Sequence, residues 1–105
     1  MYLQTIVETL SKYKNLYENE GFRIVGIFGS CARGTDNKFS DIDLAYSLEH
    51  QKFSQNYQDG FSKLLRIEDI KKELEKVFHR KVDLVSLNSS NKELIEQIKK
   101  ELVYV

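Results

Sequence analysis

Apolar side chains recur at Leu3, Ile6, Val7, Leu10, Tyr13 and Tyr17, the three- and four-residue spacing of an amphipathic helix over residues 2–19. Gly21 supplies a stop signal for it. "FRIVGIFGS" then reads as a strand, rich in β-branched and aromatic residues and apolar on both faces, ending at Gly29-Ser30. "CARGTDNKFS" combines a glycine with a run of turn formers, which predicts a short helical turn and then a loop. "DIDLAYS" returns to strand, with Ile42, Leu44 and Tyr46 on one face and Asp41, Asp43 and Ala45 on the other. Residues 49–60 are polar and contain Asp-Gly, and read as a mobile loop. From about Phe61 to Phe78 the spacing is helical again, through Leu64, Ile67, Ile70, Leu74 and Val77. A third strand is expected around Val82 to Leu87. Ser90 with Glu93 forms a capping box that opens a last helix carrying Leu94, Ile95, Ile98 and Leu102. The order α-β-(short α)-β-α-β-α predicts an α/β (α+β) chain, a small sheet covered by helices.

At 105 residues the chain fits one domain, 1–105. Hydrophobic residues make up 41% and charged residues 30%, the balance of a globular protein and not of a disordered one. The longest apolar run is "IVGIF", and "MYLQTIVETLSKYK" lacks the basic segment and continuous apolar core of a secretion signal. No membrane partner is therefore expected. The lone Cys31 cannot form an internal disulfide, which favours a reducing, cytoplasmic location. Sixteen basic residues balance sixteen acidic ones, so the excess that tracks a nucleic-acid backbone is missing. Long nucleic acid is not an expected partner. A nucleotide remains compatible, because a metal and a few backbone amides can handle its phosphates.

The chemistry lies in the carboxylates. Asp is disfavoured in strands, and a buried carboxylate needs a partner or a metal. Asp41 and Asp43 point the same way along one strand, with side chains about 7 Å apart. Asp83, flanked by Val82 and Leu84, repeats the pattern of one acid inside an apolar strand. If its strand lies beside "DIDLA", all three converge; otherwise Asp83 is a strand-end residue facing solvent or paired with Lys81 or Arg80. Oxygen-only ligands favour Mg²⁺ or Mn²⁺, the usual ions of phosphoryl and nucleotidyl transfer. Gly29 allows close backbone approach, and Ser30 offers a hydroxyl and an amide to a phosphate, or simply caps the helical turn. Arg33 could neutralise a phosphate, or pair with Asp36 or Asp41. Cys31 reads as a small buried side chain, since no neighbouring base would activate it. His50 and His79 show no metal-ligand spacing. Tyr57 and Tyr104 read as ordinary core or surface residues.

Gly29-Ser30, ten residues, then Asp41-x-Asp43 resembles the G-S-x10-D-x-D signature of the polymerase-β-like nucleotidyltransferase superfamily. "GSCARG", "SDIDLA", "KVDLVSL" and the ending "IEQIKKELVYV" resemble its minimal nucleotidyltransferase (MNT) group in particular, so the likeness covers nearly the whole chain. The resemblance implies that group's fold, a small mixed sheet flanked by helices. It implies Gly29 and Ser30 on the triphosphate of ATP. Asp41, Asp43 and Asp83 would be ligands of two Mg²⁺ ions, with Asp83 also helping to deprotonate the acceptor. It further implies an antitoxin that transfers AMP to a tyrosine hydroxyl of a HEPN-type ribonuclease toxin and forms a hetero-oligomer with it. Two alternatives stand beside this: an antitoxin acting mainly by stable complex formation, and a nucleotidyltransferase acting on a small molecule such as an aminoglycoside.

Overall fold

The structure, a computed structural model, describes residues 3–37 and 40–105. The helix reading at Tyr2 and the loop reading at Lys38 and Phe39 lie outside these residues. The elements run α1 (Leu3–Glu18), β1 (Phe22–Phe28), α2 (Gly29–Arg33), β2 (Ile42–Leu48), α3 (His50–Asn56), α4 (Gly60–Phe78), β3 (Val82–Ser86), α5 (Lys92–Glu101) and β4 (Val103–Tyr104). The four strands form one mixed sheet in the order β3-β2-β1-β4. β2 pairs antiparallel with β1 and parallel with β3, and β4 pairs antiparallel with the other edge of β1.

Alternation in β2 sorts its residues as the pattern predicts. Ile42, Leu44 and Tyr46 are buried with Ile6 and Leu10 of α1 and with Ile70, Leu74 and Phe78 of α4. Each such side chain contributes about 1.5–3 kcal/mol when fully buried. β1 is less regular. Its register passes from Ile24↔Tyr46 to Gly26↔Ala45, so one residue of β1 has no counterpart on β2. This β-bulge puts Ile24 and Ile27, three residues apart, on the same helix-covered face, where an unbroken strand would separate them. The apparent two-faced apolarity of "FRIVGIF" has this cause. Phe28 is then left beside Asp43.

Three expectations are corrected. Residues 49–60 are not a mobile loop: α3 forms there because Phe53, fully buried, docks its one apolar side chain into the core. Tyr57 packs its ring 5.0 Å from that of Phe53, and its hydroxyl donates to Glu20. Arg66 grips the same carboxylate with two 2.8 Å hydrogen bonds, which hold Glu20 below the usual carboxylate range. The cap of α5 is Asn91 and not Ser90; its side chain accepts from the Leu94 amide at 3.2 Å. Finally, α5 stops at Glu101, because Leu102 is extended and leads into β4. Among the described residues no helix is long and apolar enough to cross a membrane.

Candidate active site

The parallel register pairs Asp43 directly with Asp83. Both carboxylates leave the sheet on one face, from neighbouring strands about 4.8 Å apart. Asp41 stands two residues upstream, exposed, just before β2 begins. Asp43 and Asp83 therefore stand side by side with Asp41 close to them, but Asp41 precedes the strand and Asp83, although not paired with Arg80, faces solvent, as its alternative reading had it. That arginine is bound to Asp36 at 3.1 Å. Burial pushes the Asp43 carboxyl above the ordinary range, and the charges of Asp83 and Asp41 push it further.

The Gly-Ser turn closes over this end. β1 runs directly into α2, and Phe28 at the N-cap provides no side-chain cap, so Ser30 is not the capping residue. Gly29 has φ +75°, the left-handed region that favours glycine. A Cβ there would lie 2.2 Å from Oδ2 of Asp43, so the missing side chain is what lets the turn meet the acid. The Gly29 N–H donates to Oε2 of Glu101 at 3.3 Å. Arg33 pairs with Oε1 of the same Glu101 at 2.7 Å, instead of with Asp36 or Asp41. A carboxylate from α5 thus occupies both the Gly29 amide and the Arg33 guanidinium, and its charge adds to the upward push on Asp43.

Asp41, Asp43 and Asp83 supply only oxygen, the donor set of a hard divalent cation. Among the described residues, no three acids, histidines or cysteines are already gathered around one point. The donor chemistry nevertheless fits: the mutual repulsion that raises Asp43 is what a cation between these groups would offset.

The other singled-out residues stay apart from this end. Cys31 is buried, and burial pushes its thiol up, as expected of an inert side chain. His50 opens α3 and His79 ends α4, on separate elements. Tyr104 is exposed on β4. Two residues near the site escaped sequence reasoning. Glu101 lies 72 residues from Gly29 and is brought in only by the packing of α5 against α2. Arg80 gave no signal beyond its nearness to Asp83.

Comparison with known proteins agrees with this geometry. Residues 4–105 match the model of the polymerase beta, nucleotidyltransferase family. A Methanocaldococcus jannaschii protein provisionally named a protein adenylyltransferase is 31% identical over 98% of this chain and 97% of its own. The protein adenylyltransferase MntA of Thermococcus cleftensis is 30% identical over 98% and 95%. A solved structure provisionally described as a minimal nucleotidyltransferase superposes with a TM-score of 0.77 at 28% identity, over 100% of this chain and 97% of that one. With its Gly-Ser turn set against paired strand carboxylates, the chain belongs to the polymerase β nucleotidyltransferase family, as an enzyme of the minimal nucleotidyltransferase kind.

Proposed function

We propose that this enzyme transfers AMP from ATP, in the presence of Mg²⁺, to a tyrosine hydroxyl of a HEPN-type ribonuclease toxin, and so acts as its antitoxin. The observation that supports the reading is the Asp43–Asp83 pairing with Gly29 packed on Asp43, which brings the Gly-Ser turn and two carboxylates to one end of one sheet. Relatives that match almost end to end carry the name protein adenylyltransferase, which supports a protein as acceptor.

In this reading Asp41, Asp43 and Asp83 would hold the metal, and Asp83 would take the proton of the attacking hydroxyl. The Gly29 amide and the Ser30 hydroxyl seat the triphosphate. Arg33 turns from Glu101 to the phosphates and stabilises the departing pyrophosphate. The new bond joins the acceptor oxygen to the α-phosphorus as the bond to pyrophosphate breaks. When bound, Mg²⁺ neutralises the triphosphate and lowers the pKa of the acceptor hydroxyl. In the test, the purified enzyme is incubated with α-labelled ATP, Mg²⁺ and a HEPN-type toxin protein. The wild-type chain labels a toxin tyrosine, and the Asp41→Ala/Asp43→Ala double variant labels nothing. If no triphosphate yields label, or if the double variant neutralises the toxin fully at equal expression, the reading is wrong.

A further inference from the structure

Arg80 lies in the turn between α4 and β3, three residues ahead of Asp83. Its side chain is only 6% exposed, an expensive place for a cation unless its donors are used. They are used, by a backbone carbonyl, a carboxylate and a sulfur. Nε and Nη2 donate to the Ser40 carbonyl at 3.0 and 2.7 Å. Nη1 donates to Oδ2 of Asp36 at 3.1 Å, and Nη2 reaches the Cys31 sulfur at 3.5 Å.

Two of these partners, Cys31 and Ser40, belong to segments that carry a piece of the site. Cys31 follows Gly29 and Ser30 on α2. Ser40 immediately precedes Asp41. Arg80 itself leads into the strand that bears Asp83. The Cys31 thiol completes the join by donating to the Asp41 carbonyl at 3.6 Å, and the Ile42 N–H donates to the Lys81 carbonyl at 2.9 Å. One planar guanidinium therefore holds together the three segments that supply the phosphate seat, the first two acids and the third. Its fork fixes directions as well as distances, which a lysine ammonium cannot reproduce.

We propose that Arg80 is a positioning residue: it sets Asp41 against Asp43 and Asp83 and so governs the affinity of the site for a divalent cation, without touching substrate. The inference rests on the reading of these three acids as metal ligands, and a metal titration tests it with no transfer reaction. Mn²⁺ alone is titrated into nucleotide-free protein, and free Mn²⁺ is followed by its electron paramagnetic resonance signal. Arg80→Lys is expected to weaken Mn²⁺ binding by about tenfold or more, the usual effect of losing an outer support of a metal ligand. Ile70→Val, which softens the core away from the site, should lower Tm and leave Mn²⁺ affinity unchanged. Asp36→Asn keeps an acceptor for Nη1 but drops its charge, and should give an intermediate loss; it decides the matter if Arg80→Lys does not fold.

Mn²⁺ affinity within roughly twofold of wild type in Arg80→Lys, or in Asp36→Asn where that variant decides, overturns the proposal. So does an equal loss in Ile70→Val, which would make the effect one of general stability. A wild-type chain that binds no Mn²⁺ removes the metal reading and the inference with it. Intact Mn²⁺ binding without labelling of a toxin removes only the proposed acceptor.

Discussion

Gly29 and Gly34 form a matched pair that isolates one contact. Both have φ +75°, so alanine meets a positive-φ backbone penalty at either position. That penalty is about 1–2 kcal/mol for a residue with a Cβ in the left-handed region. For a domain of this size each kcal/mol lowers Tm by about 4–8 °C. The surroundings differ completely. Nothing lies within 4 Å of a Cβ at Gly34, whereas a Cβ at Gly29 would stand 2.2 Å from Oδ2 of Asp43. The Asp43 carboxylate must then swing away, or the end of β1 must shift. Gly34→Ala should therefore lose stability alone. Gly29→Ala should lose at least as much, and in addition about tenfold or more in nucleotidyl transfer, or about 1.4 kcal/mol of transition-state stabilisation. Thermal melts and initial rates at saturating ATP read both quantities. Equal activity in the two variants would show that the turn does not press on Asp43, and the account of the site would fail.

Other outcomes follow from the rest of the molecule. Glu20 is held below its ordinary value of 4.5 by its hydrogen bonds to Arg66, so its contribution is fully present above that value and is lost as pH falls through the lower folded one. Glu20→Gln should flatten the acid limb of stability in urea unfolding across pH 3–6, and an unchanged limb would refute this. Phe53→Ala should cost about 3–5 kcal/mol, because the side chain anchors α3 in the core; a loss below about 1 kcal/mol would restore the view of a loose loop. Glu101→Gln removes the charge that occupies the Gly29 amide and Arg33, so the KM for ATP should fall severalfold. A rise instead would mean that Glu101 orients Arg33 for the nucleotide.

Much of the site was legible because its chemistry contradicts its surroundings. An acid in an apolar strand has few structural reasons to be there, and Asp43 and Asp83 met that description independently. Their convergence then needed only a parallel pairing, which the intervening α4 allows. The misread parts share a different cause. Phe53 is a single apolar residue in a polar stretch, too little for any periodicity, and its burial depends on a cavity built by other elements. Ser90 and Asn91 are both cap formers, so local sequence alone does not choose between them. Glu101 and Arg80 matter through partners 72 and 40 or more residues away. Neither belongs to a local pattern, and only the packed fold assigns their contacts.

The surplus residue in β1 acts as a change of parity. Counted from Phe22 in an unbroken strand, Phe28 would share the side of Ile42, Leu44 and Tyr46, and the turn at Gly29 would open among the helices. One unmatched residue reverses this and delivers the turn to the acids. The length of this strand is thus a hidden constraint, separate from its composition. A single-residue insertion between Gly26 and Phe28 would leave every apolar side chain present and still part the Gly29-Ser30 turn from Asp43 and Asp83. The same insertion in the exposed turn near Asp59 and Gly60 would change nothing of the kind.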